Sequence, residues 1–201
     1  MQATPTLPVG YRKIGTLDVS KNEKLLLLLN VMGLVGMVFS GWLFLKIIFW
    51  LRPDDTAGAF RFEMHAFFET VLVIAVILAL LAFHIILHEA IHGVFFWLFT
   101  RSRPRFAFRW TYAYAAAPDW FIYRNPFLIT TLAPLVLISL GGLVVFAVAP
   151  PAWLLPTWFV VIMNAGGAVG DLMVAGWLLR QPPGCLAQDC GDAVTLYVPE
   201  K

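Results

Sequence analysis

His88-Glu89-Ala90-Ile91-His92 is the stretch whose residue types and spacing could do chemistry. On a helix, residues four apart are offset by about 40° and about 6 Å, so the two imidazoles share a face and can share one metal ion. Glu89 sits one residue on and reaches a water on that ion rather than the ion itself. These are the parts of zinc-dependent peptide hydrolysis. Bound zinc brings the pKa of its water towards about 7. Glu89 then takes the proton and passes it to the leaving amine.

A catalytic zinc has three protein ligands and one open position, so a third ligand must come from elsewhere. Asp171 is an acid inside a second apolar run, His84 lies one turn before His88, and His65, Cys185 and Cys190 lie at or beyond the ends of apolar runs. Asn164, two helical turns before Asp171, shares its face and could donate a hydrogen bond to substrate or to a ligand. Plainer roles stay open. Asp171 could bond a neighbouring helix. His84 could pack or support a ligand, since four protein ligands would close the site. Cys185 and Cys190 read as two reduced thiols.

The elements that must position these residues are apolar. The chain has 201 residues, 60% hydrophobic and 13% charged, against about 25% charged in a soluble domain. Mean hydropathy is +0.80. Carboxylates and imidazoles are expensive in such surroundings, which makes them functional candidates by default. The net charge of +2, with no basic cluster beyond the arginines at 101–109, excludes a nucleic-acid partner. Apolar runs at about 25–50, 67–100, 127–149 and 153–180 approach or exceed the roughly 20 residues that cross a bilayer core. The expected fold is therefore an all-α polytopic membrane protein, a single integral-membrane domain over 1–201. It has four transmembrane helices and a small cytoplasmic β element. The second run is longer than the bilayer core and must tilt, bend or project.

Between the runs, Arg52–Gly58 reads as a turn-rich break, followed by a short amphipathic stretch with Arg61, Glu63, His65 and Glu69. Phe106, Phe108, Trp110, Tyr112 and Tyr114 alternate, which predicts a strand over 103–116. It is either an interfacial strand with its aromatics at headgroup level or an edge that pairs with an extended substrate. The tail, 181–201, holds one weakly alternating strand near 192–198. Gly33, Gly36 and Gly41, and later Gly166, Gly167, Gly170 and Gly176, suit close helix packing.

Loop arginines and lysines orient the spans. The N-terminal segment has four, the 51–69 loop two, the 100–125 loop five, the 149–152 turn none, and the tail, counting Arg180, two. This pattern predicts a multi-pass cell-membrane protein with both termini cytoplasmic. The second and fourth spans then run in the same direction. His92 precedes Arg101 by nine residues, as Asp171 precedes Arg180. Nine residues rise about 13.5 Å, so the two lie at matching depth.

The chain resembles the "putative zincin peptidase" family of small bacterial membrane proteins, from Tyr11-Arg12-Lys13-Ile14 to the C-terminal strand. Three pieces carry the resemblance: His88 to Gly93, Ala113-Tyr114 through Leu132-Ala133-Pro134-Leu135, and Asn164 through Leu172. More distantly it is similar to site-2 proteases, in which a third helix supplies an aspartate ligand in a Leu-Asp-Gly setting. Gly170-Asp171-Leu172 departs from that order. The resemblance implies a peptidase, Zn2+ as cofactor, and Asp171 as a ligand beside His88 and His92.

Three functions compete. The leading one is an intramembrane zinc metallopeptidase that hydrolyses membrane-associated protein or peptide substrates, with membrane lipid as its surroundings. The second is a non-catalytic zinc-binding membrane scaffold or partner-binding module. Both keep the histidines, and only the enzyme needs Glu89. The third, a metal-transport protein, would call for more intramembrane acids than this chain has.

Overall fold

A computed structural model gives the architecture and describes residues 2–19, 21–59, 67–108 and 113–200. The amphipathic stretch around His65, and Trp110 and Tyr112, lie outside the described residues.

The chain is mostly helical (65%). Helix α1 (Glu23–Leu51) starts where the Asn22 side chain accepts the Leu25 N–H, satisfying one of the orphan donors of a first turn. The expected break at 52–58 is instead a short helix, α2 (Pro53–Ala59). Proline at the first helical position and Asp54 and Asp55 in the first turn favour helix there. Arg52 pairs with Asp55 and donates to the Ala149 carbonyl, which ties this corner to the end of α4 (Arg124–Val148). Helix α3 (Phe67–Thr100) carries the histidines.

The fourth apolar run is not one helix. It is α5 (Leu154–Gly167) and α6 (Val169–Leu179), bent by 45° at Ala168. Adjacent glycines at 166 and 167 weaken the helix just before the bend. Three helices, α1, α3 and α4, are long and apolar enough to cross a membrane, or four spans if the bent pair counts as one. Large apolar side chains such as Val38, Phe39 and Trp42 on α1, and Leu78, Phe83 and Ile86 on α3, face outward. That is the pattern expected of helices facing lipid.

The β structure exceeds the expectation, and the all-α description gives way to a helical bundle with a small sheet. Strands β1 (Ala3–Thr4), β2 (Tyr11–Asp18), β5 (Phe121–Tyr123), β6 (Leu186–Asp189) and β7 (Ala193–Pro199) form one antiparallel sheet in the order β1-β5-β6-β7-β2. The tail thus holds two strands, not one, and the N-terminal segment holds two more. The single strand expected over 103–116 is a hairpin of β3 (Arg105–Phe108) and β4 (Ala113–Ala116). The sheet caps the bundle where α3 and α6 end and α4 begins. Phe96, Phe127, Leu178, Ile122, Leu196 and Val198 are buried together there. Each such fully buried large side chain contributes on the order of 1.5–3 kcal/mol.

The glycines divide. A Cβ at Gly33 would lie 3.0 Å from the Gly166 carbonyl oxygen, so this pair lets α1 and α5 touch backbone to backbone. Gly167 faces His84. At Gly170 and Gly176 no neighbouring element among the described residues comes within 4 Å of where a Cβ would stand, so no close contact there calls for glycine.

Candidate metal centre

Helical periodicity stacks His84, His88 and His92 on one face of α3, and all three are buried. The His88 and His92 rings stand edge to face with centroids 4.9 Å apart. Asp171 reaches them from α6. The bend at Ala168 gives α6 its own N-terminus, and Asp171 sits in that first turn, where the helix dipole favours a negative charge. Its Oδ2 lies 3.2 Å from His88 Nε2 and its Oδ1 3.4 Å from His92 Nε2.

The other ring nitrogens are engaged elsewhere. His92 Nδ1 lies 2.9 Å from the Thr130 carbonyl of α4. A carbonyl only accepts, so Nδ1 carries the proton and Nε2 the lone pair. His88 Nδ1 lies 2.9 Å from Asn164 Oδ1, and Asn164 Nδ2 donates to the Pro134 carbonyl at 3.3 Å. Lone pairs of both imidazoles therefore face the Asp171 carboxylate, whose Oδ2 is buried with no hydrogen-bond donor among the described residues. With neutral rings, this contact is repulsive unless a cation lies at its centre. Ligand atoms held tetrahedrally at bonds of about 2.0–2.2 Å stand about 3.4 Å apart. The observed separations match that spacing, and all three donor atoms lie within 4.8 Å of one another. The donor set fits zinc.

Glu89 points off the ligand face towards β4, where its Oε2 accepts the Ala115 N–H at 2.7 Å. Asn164 is fully buried. The bend places it on α5, apart from Asp171 on α6, and its oxygen goes to His88. His84 is not one of the three donors. Its ring stands edge to face with His88 at 5.9 Å, and neither nitrogen has a partner among the described residues. Cys185 is buried in the sheet core and Cys190 exposed, both free. Burial pushes the Cys185 thiol pKa up.

The cluster opens on a cavity of about 820 Å³. Its walls include Asn30 and Met37 of α1, the histidine face of α3, Tyr114, and Asp189 at the β6–β7 turn. Burial raises the Asp189 carboxyl to about 7. The Gly191 N–H and His92 oppose the shift, and Asp171 and Glu89 add to it. The sequence reading missed the Thr130 carbonyl, the Ala115 N–H, Asn30 and Asp189. A backbone group has no residue-type signal, Asn30 is uncharged, and Asp189 lies in a tail with no marked periodicity.

Fold and cluster together define a helical protein with membrane-length apolar helices and a His-His-Asp group able to hold a metal. A family model described as "Putative zincin peptidase" matches residues 81–186, just over half of the chain, and the protein belongs to that family. The match is shorter than the resemblance expected from Tyr11 to the tail, yet it contains His84, His88, Glu89, His92, Asn164 and Asp171. The family points to a metallopeptidase and implies zinc. No curated protein and no solved structure matches the chain.

Proposed function

We propose that the protein is an intramembrane zinc metallopeptidase, with His88, His92 and Asp171 as ligands and Glu89 as general base. One observation carries the reading: two imidazole lone pairs converge inside an apolar bundle on a carboxylate whose Oδ2 has no hydrogen-bond donor among the described residues. Zinc held there supplies Lewis acidity that polarises water and the scissile carbonyl. The chain's own groups do the rest. The Ala115 N–H fixes the Glu89 carboxylate at the cavity edge. From there Glu89 takes a proton from the attacking water and delivers it to the leaving amine. Helix α1 packs chiefly on α5, and α3 on α4. The cavity lies between α1 and α3, and a membrane-embedded peptide enters from that side, locally unwound so that its carbonyl is free. The scaffold alternative has the Glu89–Ala115 bond on its side, because that bond engages the base.

Purified from membranes in detergent, the wild-type chain is expected to carry one zinc, read by elemental analysis. A metal-free preparation that cannot be loaded would end the proposal. The same reading places both termini and the Arg105 hairpin in the cytoplasm. The pairing of β2 with β7 holds the two ends of the chain in one sheet, hence on one side of any membrane. Reporter fusions after Lys201 and within 149–152 should report opposite sides, the first cytoplasmic. A periplasmic signal from the Lys201 fusion would reverse the orientation.

A further inference from the structure

We infer that Pro134 is a positioning residue for the metal site, and that the Thr130–Pro134 turn of α4 sets the tautomer of both ligand histidines. The inference rests on the metal reading above. In an uninterrupted helix, the N–H of residue 134 would donate to the carbonyl of residue 130. Proline has no N–H, and its ring pushes the carbonyl four residues back out of line. Thr130 is that residue, and Pro134 lies inside α4. The released Thr130 oxygen accepts His92 Nδ1–H at 2.9 Å. Thr130 itself is anchored by its hydroxyl, which donates to the Pro126 carbonyl at 3.0 Å.

The same turn reaches His88 by one relay. The Pro134 carbonyl accepts from Asn164 Nδ2 at 3.3 Å. Only the amide nitrogen can donate to it, so the oxygen of Asn164 must face His88. That oxygen in turn accepts His88 Nδ1–H at 2.9 Å. Two carbonyls four residues apart on one helix therefore leave Nε2 of both imidazoles unprotonated and aimed at Asp171. A proline in an apolar helix looks like a tolerated defect. Here the hydrogen bond it removes is the one that would compete with a ligand.

The test compares zinc affinity, measured by chelator competition, in wild type, Pro134→Ala and Val136→Ala. Alanine restores an N–H and suits a helix, so the bundle is expected to form. Its zinc affinity should fall about 10–100-fold, the usual effect of losing a ligand's outer partner. Val136→Ala changes an exposed side chain of the same helix and should bind as wild type. Wild-type affinity in Pro134→Ala would overturn the inference, as would an equal loss in Val136→Ala. A second measurement needs no variant. Nitrogen-15 spectra of histidine-labelled wild type, at alkaline pH where imidazole is neutral, should show the Nδ1–H tautomer at His88 and His92. An Nε2–H tautomer at either would also overturn it. If wild type takes up no zinc, the metallopeptidase proposal fails, and the tautomers of the metal-free protein still decide this one.

Discussion

Zinc affinity in Asp171→Ala is expected to fall by about 100-fold or more, beyond the 10–100-fold that an outer partner is worth, while the protein still inserts and folds. The argument begins with cost. An ion taken into an apolar interior loses several kcal/mol of solvation, and the loss is repaid only by a partner of opposite charge and good geometry. Asp171 has no such partner among the described residues. Its two contacts are imidazole nitrogens whose protons lie on the far side of their rings. A divalent cation between the three groups reverses the sign of the interaction. Alanine removes the only anionic ligand and leaves two neutral ones. The fold should tolerate this, because the Ala168 and Leu172 N–H groups that define the bend donate to the Asn164 and Ala168 carbonyls, without the Asp171 side chain. The metal-free form of the variant should be no less stable than wild type, since a costly buried charge is gone. Elemental analysis and thermal unfolding on one preparation read both halves. Full zinc retention would move Asp171 out of the site and make His84 the first replacement to examine.

How far the sequence foretells this arrangement depends on the range over which each feature is written. His88 and His92 on one face follow from the 3.6-residue period alone. The approach of Asp171 was legible by counting nine residues from the arginine at the end of each run. The bend at Ala168 was not. Gly166-Gly167 within an apolar run is as compatible with a continuous packed helix as with a broken one. The sheet was hidden for a different reason. Strands of two and three residues, β1 and β5, have no measurable periodicity. The partner of β2 lies at the other end of the chain, and local sequence holds no record of it. The hairpin was read as one strand because aromatic alternation runs on through Arg109-Trp110-Thr111-Tyr112, which contains no Gly, Pro or Asn to mark a turn. Thr130 could have been found: Pro134 marks it by the missing i to i−4 bond.

Glu89→Gln should separate chemistry from structure. Glutamine has nearly the same shape, and its carbonyl oxygen can still accept the Ala115 N–H that holds Glu89 at 2.7 Å. It is not one of the three converging donors, so zinc content should match wild type. Stability should hold or rise, because a neutral amide replaces a carboxylate in the same cavity. What the amide lacks is a site that can take a proton from water and return it to a leaving amine. General-base catalysis contributes about 10²–10⁴-fold, and cleavage of a membrane-anchored reporter that the wild type cuts should fall by that factor. A variant that is loaded, stable and inactive is the signature of a base held by the fold but not needed by it. Cleavage at the wild-type rate, in a sample with wild-type zinc, would remove Glu89 from the mechanism. A wild type that cuts no reporter at all while holding zinc would leave the scaffold as the better account. The Glu89–Ala115 bond would then be what Glu89 is for, and Glu89→Ala should loosen the β3–β4 hairpin, read as faster amide exchange at Ala115.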